Sequence, residues 1–194
     1  MKIGVDLDDV LADFASPLMT YHNETYGTDF DLSDCQQYMH AELWGVDMEE
    51  AVRRAVAFSY KSLLNLHPIY GAKQAIDSLS KDHSLHIITA RNEIFSDLTY
   101  RWLDLHFPGK FESVHFVSHY TDCHRSKGDV CKELGIEIMI DDSFDNALSC
   151  APVCKSVILF DMPWNAERAL TDTMKRVFSW DEAMREIRSI GNRA

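Results

Sequence analysis

Asp6 and Asp8 are two carboxylates two residues apart at the end of the apolar run Ile3-Gly4-Val5. Alternate side chains of an extended strand point to opposite faces, so residues i and i+2 share one. If that geometry persists through Leu7, both acids reach a single site. Carboxylates so close raise each other's pKa unless a cation or hydrogen-bond donors sit among them. Oxygen ligands without Cys or His beside them point to Mg²⁺, which keeps several waters and is held by one or two carboxylates plus substrate phosphate. The plain alternative is a pair of solvated loop residues, or an N-cap for the next segment of chain.

Three later features carry complementary groups: Thr89 after an apolar run, Lys127 opening a helical stretch, and Asp141-Asp142 after another apolar run. Each has an ordinary reading, as a strand residue, an exposed lysine and a helix cap. Together they make a phosphoryl-transfer set. A phosphate ester resists nucleophiles because its oxygens are negative, and its transition state gathers more charge on them. Mg²⁺ and Lys127 would neutralise that charge. Asp6 would attack in line to give an aspartyl phosphate, and Asp8 would protonate the leaving alkoxide and later deprotonate water. Thr89 and the backbone N–H at Ala90 would hold a phosphoryl oxygen. Asp141 and Asp142 would complete the metal site, one as ligand and the other orienting water or Lys127.

The elements that must position these groups follow from periodicity. From Leu11 to Leu66 apolar residues recur at spacings of three and four with no alternating strand pattern, which predicts a helical insertion over the end of strand one. His67-Pro68 and Gly71 close it. Ala72–Leu79 reads as a helix, Leu85–Ile88 as a strand, Glu93–His106 as a helix and Val114–Val117 as a short strand. Lys127–Leu134 is a helix stopped by Gly135, Ile136–Ile140 and Val157–Phe160 are buried strands, and Ser179–Ile190 is a helix capped by Ser179 or Asp181. Strands alternating with helices predict an α/β fold, a Rossmann-like doubly wound parallel sheet. In such a sheet the carboxyl ends of the strands line one crevice, where residues distant in sequence converge. The expected organisation is an α/β core of residues 1–12 and 68–194 with a helical cap of residues 13–67.

A chain of 194 residues with 46% hydrophobic residues can bury a core of that kind. A formal net charge of −12 argues against a nucleic acid polymer or an anionic membrane as partner. A small phosphorylated substrate needs only a locally positive site. No apolar stretch reaches the length of a membrane span and the first residues do not form a signal peptide, so the expected location is the cytoplasm. Five cysteines without a C-x-x-C pair predict reduced thiols.

Asp6-Leu7-Asp8-Asp9-Val10, Thr89, Lys127 and Asp141-Asp142 resemble, in type and order, the four motifs of the haloacid dehalogenase-like phosphatase superfamily. Within it, Asp6-Leu7-Asp8 followed by Val10-Leu11-Ala12-Asp13-Phe14, with a helical insertion after strand one, is similar to the 5'(3')-deoxyribonucleotidases and their bacterial relatives. The resemblance implies a core of the superfamily type, Asp6 as nucleophile and Asp8 as acid/base. It also implies Mg²⁺ held by Asp6, the backbone oxygen of Asp8 and an acid of the last motif, Asp142. Phe14 and cap aromatics would contact a nucleobase, with Trp44 and Tyr38 as candidates that also suit a cap core. Two departures stand out. Asp9 occupies a position where many nucleotidases have Gly, and Thr89-Ala90-Arg91 replaces a Thr-Ser-Pro type of segment. Arg91 either binds a second anionic group or pairs with a surface acid.

The expected activity is that of a Mg²⁺-dependent phosphomonoesterase for (deoxy)nucleoside monophosphates. The competing readings are a phosphatase for another small metabolite and a non-catalytic member that binds a phosphorylated ligand. His115, His119, Cys123 and His124 lack metal-ligand spacing and read as scattered loop residues.

Overall fold

The computed structural model describes residues 1–36, 41–117 and 125–191. Tyr38, His119, Cys123 and His124 lie outside the described residues. Six strands, all parallel to their neighbours, run in the order β3-β2-β1-β4-β5-β6. They are β1 Lys2–Val5, β2 Ser84–Thr89, β3 Ser113–Phe116, β4 Ile138–Asp141, β5 Ser156–Phe160 and β6 Met174–Val177. β1, β4 and β5 are largely apolar runs, and β2 is one interrupted by His86, because both faces of a parallel sheet are covered. Ile138 and Ile140 of β4 join the larger core cluster, whereas Met139 between them joins the smaller one on the other face.

Helices α4 (Ala72–Leu79), α5 (Ser96–His106) and α8 (Trp180–Gly191) supply Ile76, Trp102 and Trp180 to the larger cluster. α6 (Lys127–Leu134) and α7 (Phe144–Cys150) supply Val130, Cys131, Ala147 and Cys150 to the smaller one. Gly135 sits at φ 68°, the left-handed C-cap expected of it. Ser179 caps α8, its Oγ accepting from Glu182 N, and Asp181 lies in the first turn.

Between β1 and α4 the insertion holds α1 (Ala15–Tyr26), α2 (Ala41–Trp44) and α3 (Met48–Ser62). One expectation needs correction: Leu11–Phe14 is not helical. Asp9 turns the chain with φ 57°, and its Oδ1 accepts from Phe14 N at 3.1 Å and Ala15 N at 2.9 Å, which sets the start of α1 at Ala15. Ala12 pairs across to Pro68, and Ile69 N donates to Leu11 O at 2.8 Å, so the chain leaves and re-enters the sheet layer through a two-stranded neck. Among the described residues no helix is long and apolar enough to cross a membrane. Cys35, Cys131, Cys150 and Cys154 are buried free thiols.

Candidate active site

The strand order reverses direction between β1 and β4, and the crevice at that switch point is where an open α/β sheet places its ligand. Asp6 follows β1 directly, its N–H donating to Ile140 O at 2.9 Å, so it is registered against the end of β4. Asp141 ends β4 and Asp142 comes next. All three acids are buried, and each offers an oxygen within 4.8 Å of those of the other two.

Lys127 arrives from the start of α6. Ser126 caps α6 through a capping box with Asp129, which fixes where the helix begins. Gly128 then lets α6 approach α7 closely: a Cβ there would stand 2.2 Å from Ser149 O. The buried ammonium lies 2.7 Å from Asp6 Oδ1 and donates to Asp141 Oδ2 at 2.8 Å. Burial works against its charge, but Asp141 and Asp6 outweigh that and hold its pKa above the ordinary lysine value.

One ammonium does not balance the acids. Burial, aided by Asp141 and offset in part by Lys127, pushes the Asp6 carboxyl up to about 7. Burial, then Asp6 and Asp141, raises Asp142 well above the usual carboxylate range. The two acids at the end of β4 differ in how they are engaged. Asp141 is used on both oxygens, Oδ2 by Lys127 and Oδ1 by Ser143 N at 2.9 Å. Asp142 Oδ2 accepts from Trp164 Nε1 at 3.0 Å, while its buried Oδ1 has no hydrogen-bond partner among the described residues. A buried carboxylate oxygen without a donor, inside an excess of negative charge, fits a divalent cation with oxygen ligands.

Asp8 stands beside this cluster, its side chain 20% exposed, gripped by Arg91. Nε of Arg91 donates to Asp8 Oδ2 at 3.1 Å and Nη2 donates to Oδ1, a two-pronged grip on the carboxylate. Arg91 is itself buried and its Nη1 donates to Thr99 Oγ1 at 3.1 Å. The partner of Arg91 is therefore the second acid of the first motif rather than a surface acid. Thr89 is buried at the end of β2, and its Oγ1 accepts from Arg91 N at 3.1 Å.

Beside Asp8 and Arg91 lies a cavity of about 210 Å³. Asp8, Ala90, Arg91 and Trp164 line it from the sheet side, and Phe14, Trp44, Val52 and Val56 from the helical insertion. Phe14 is braced edge-on by Phe58 with ring centroids 5.3 Å apart. Trp44 stacks on His22 at 4.3 Å with the rings 13° from parallel, so it is packed within the insertion and also faces the cavity. Residues as distant in sequence as Asp8 and Trp164 thus meet in one place.

Sequence reasoning gave no role to three residues, although it marked Asp9 as a departure from the family pattern. Asp9 shapes the turn after the first motif, its pKa pushed up to about 8 by burial against the opposing backbone donors of Ala15 and Phe14. Trp164 and Asn165 hold Asp142, Asn165 Nδ2 donating to Asp142 O at 2.7 Å. The available signal was position: both come after β5, a strand whose end faces the same crevice.

Comparison with known proteins agrees with this geometry. YqfW of Bacillus subtilis is 28% identical over 189 residues, spanning 95% of this chain and 92% of its own. The 5'(3')-deoxyribonucleotidase of the same organism is 26% identical over 189 residues, covering 95% of this chain and 97% of its own. A haloacid dehalogenase-like family hydrolase, SP0104 of Streptococcus pneumoniae, shares the fold with a TM-score of 0.69 at 13% identity, covering 96% of this chain and 97% of that one. The profile of the family described as 5' nucleotidase, deoxy (pyrimidine), cytosolic type C protein (NT5C) matches residues 1–192. With its first acids, lysine and last acid pair gathered at one switch point, the chain belongs to this NT5C family of haloacid dehalogenase-like hydrolases.

Proposed function

We propose that the protein is a Mg²⁺-dependent phosphomonoesterase that hydrolyses (deoxy)nucleoside monophosphates through an aspartyl phosphate on Asp6. The observation that carries this reading is the buried set of Asp6, Lys127, Asp141 and Asp142, with one Asp142 oxygen lacking a donor among the described residues, next to a cavity walled by aromatic and aliphatic side chains and joined to it through Asp8 and Trp164. A polar corner for phosphate and an apolar chamber for a flat ring together suit a nucleotide. Family membership and a deoxyribonucleotidase relative point the same way.

An Asp6 oxygen attacks phosphorus while the ester bond to the nucleoside breaks, and Asp8, entering the step as the acid protonated on Oδ1 with Oδ2 held by Arg91 Nε, gives that proton to the departing alkoxide. Asp8 then takes a proton from water as that water attacks the phosphoryl group, which leaves as phosphate and frees Asp6. Arg91 holds the Asp8 carboxylate toward the cavity. Lys127 offsets charge on the phosphoryl oxygens and is itself held by Asp141. Because the Thr89 hydroxyl accepts from Arg91 N, its own hydrogen remains to be donated to a phosphoryl oxygen, beside the Ala90 backbone. Mg²⁺ would be held by Asp6, the backbone oxygen of Asp8 and Asp142, and when bound it supplies charge neutralisation for phosphoryl transfer. Asp141 serves Lys127 rather than the cation. Residues 13–67 act as a cap that selects the leaving group, residues 1–12 and 68–194 as the catalytic core, and the family description supports work in the cytosol.

Phosphate release from a panel of monophosphates, deoxynucleotides included, tests the reading. Release should require Mg²⁺, stop with EDTA and fall by more than about a thousandfold in Asp6→Asn. Turnover that survives Asp6→Asn would rule out the covalent route, and sugar phosphates hydrolysed in preference to nucleotides would rule out the substrate class.

A further inference from the structure

The loop after β5 is pinned from several directions. Asn165 is fully buried, and its Nδ2 donates at 2.7 Å to both Phe160 O and Asp142 O. Arg176 of β6 donates through Nη1 to Asn165 Oδ1, through Nη2 to Asn165 O at 2.8 Å, and through Nη1 to Asp161 Oδ1 at 2.8 Å. Asp161 and Asn165, in the first part of the loop, are thereby tied to one guanidinium. Trp164, next to Asn165, is delivered to the end of β4, where its Nε1 donates to Asp142 Oδ2 at 3.0 Å and sits 3.2 Å from Asp142 O. The same indole, 8% exposed, is part of the cavity wall.

A carboxylate gripped on one oxygen cannot rotate freely, so its other oxygen is presented in a fixed direction. The oxygen so presented is Asp142 Oδ1, which has no donor among the described residues. We infer that Trp164 is a positioning residue for Asp142, and that through its ring the filling of the cavity and the binding of a divalent cation favour each other. This rests on the nucleotidase reading for what fills the cavity and for Asp142 as a ligand. A flat ring packed on the indole would add to the restraint that the pinned loop already gives it and keep its N–H on Oδ2. The ordered carboxylate then loses less freedom on taking a cation, and by thermodynamic reciprocity the cation strengthens occupancy of the cavity by the same factor.

Mn²⁺ binding, measured by calorimetry on the unsubstituted protein, Trp164→Phe and Asp142→Asn, tests it without any turnover. Phenylalanine keeps an aromatic wall and removes the donor, and should weaken Mn²⁺ binding by roughly tenfold or more. Asp142→Asn should bind far more weakly still. An unphosphorylated pyrimidine deoxynucleoside, which has no group for the cation, should tighten Mn²⁺ binding to the unsubstituted protein by about twofold or more and leave Trp164→Phe unmoved. Equal Mn²⁺ affinity in Trp164→Phe, or a nucleoside that binds without changing Mn²⁺ affinity, overturns the inference and leaves the nucleotidase reading intact. Failure of the unsubstituted protein to bind Mn²⁺ sinks both. Should Trp164→Phe not fold, the indole N–H resonances of the four tryptophans in the unsubstituted protein decide: one of them should shift with Mg²⁺ saturation, and none shifting refutes the coupling.

Discussion

The cavity has two walls built on different physical terms. On the sheet side Arg91, Asp8 and the acids beside them are fixed by charge-assisted hydrogen bonds, most with more than one partner. On the insertion side Phe14, Trp44, Val52 and Val56 are fixed by packing, as in the edge-on contact of Phe14 with Phe58. Directional bonds hold an atom to a point, and that is what an in-line attack needs. Packing holds a surface, and that is what discrimination among leaving groups needs. Under the proposed function the contrast would assign reaction rate to one wall and selectivity to the other.

The strongest way to break that division is at Lys127. Lys127→Met removes the shared partner of Asp6 and Asp141 and leaves both acids buried, which should cost roughly 3–5 kcal/mol of stability in denaturant titrations at neutral pH. Activity should be lost as well, even under conditions where the variant is folded. Next in size, Arg91→Met frees Asp8 without touching the insertion. Its kcat should fall by about a hundredfold with KM little changed, because under the proposed mechanism only the aim of Asp8 is lost. An equal rise in KM would mean that Arg91 contacts substrate instead.

The opposite pattern is expected across the cavity. Phe14→Ala should raise KM by about tenfold, roughly 1.4 kcal/mol for one ring contact, with kcat nearly preserved. A collapse of kcat in this variant would erase the distinction between the walls.

The smallest effect concerns Asp9, which joins the two regions. Its pKa of about 8 in the folded chain lies above the ordinary 3.8, so the stability linked to its proton is complete below about pH 4 and disappears as pH rises through 8. Asp9→Asn keeps an oxygen for Phe14 N and Ala15 N and tolerates the positive φ. Melting temperatures of the two proteins should coincide near pH 4, and the variant should melt several degrees higher near pH 8.5 in the absence of metal.

How much of this could be read in advance also divides along the two walls. β1, β2, β4, β5, α4 and α6 were legible because a strand covered on both faces is a largely apolar run and because Gly135 marks a stop. Once strand ends were known, Asp6, Thr89 and Asp141-Asp142 had to converge. β6 escaped because Met174–Val177 is an edge strand of four residues, two of them Lys and Arg. α7 escaped because a seven-residue helix with Asp, Asn, Ser and Cys among its residues carries too little periodicity. The reach of Arg91 to Asp8 was hidden by range, since 83 positions separate them and the spacing of neither motif encodes a meeting. In the insertion, Trp44 sits on a helix of only four residues, too short for periodicity to say which way its ring turns.

Gly128 has a practical meaning for anyone who would re-engineer this protein. Because the helix bearing the lysine rests on the main chain of its neighbour, with Ser149 O where a methyl group would go, the ammonium's address is written in backbone atoms. Mutagenesis can redraw the adjoining chamber at many places. This seat admits no second amino acid without dragging the charge off target.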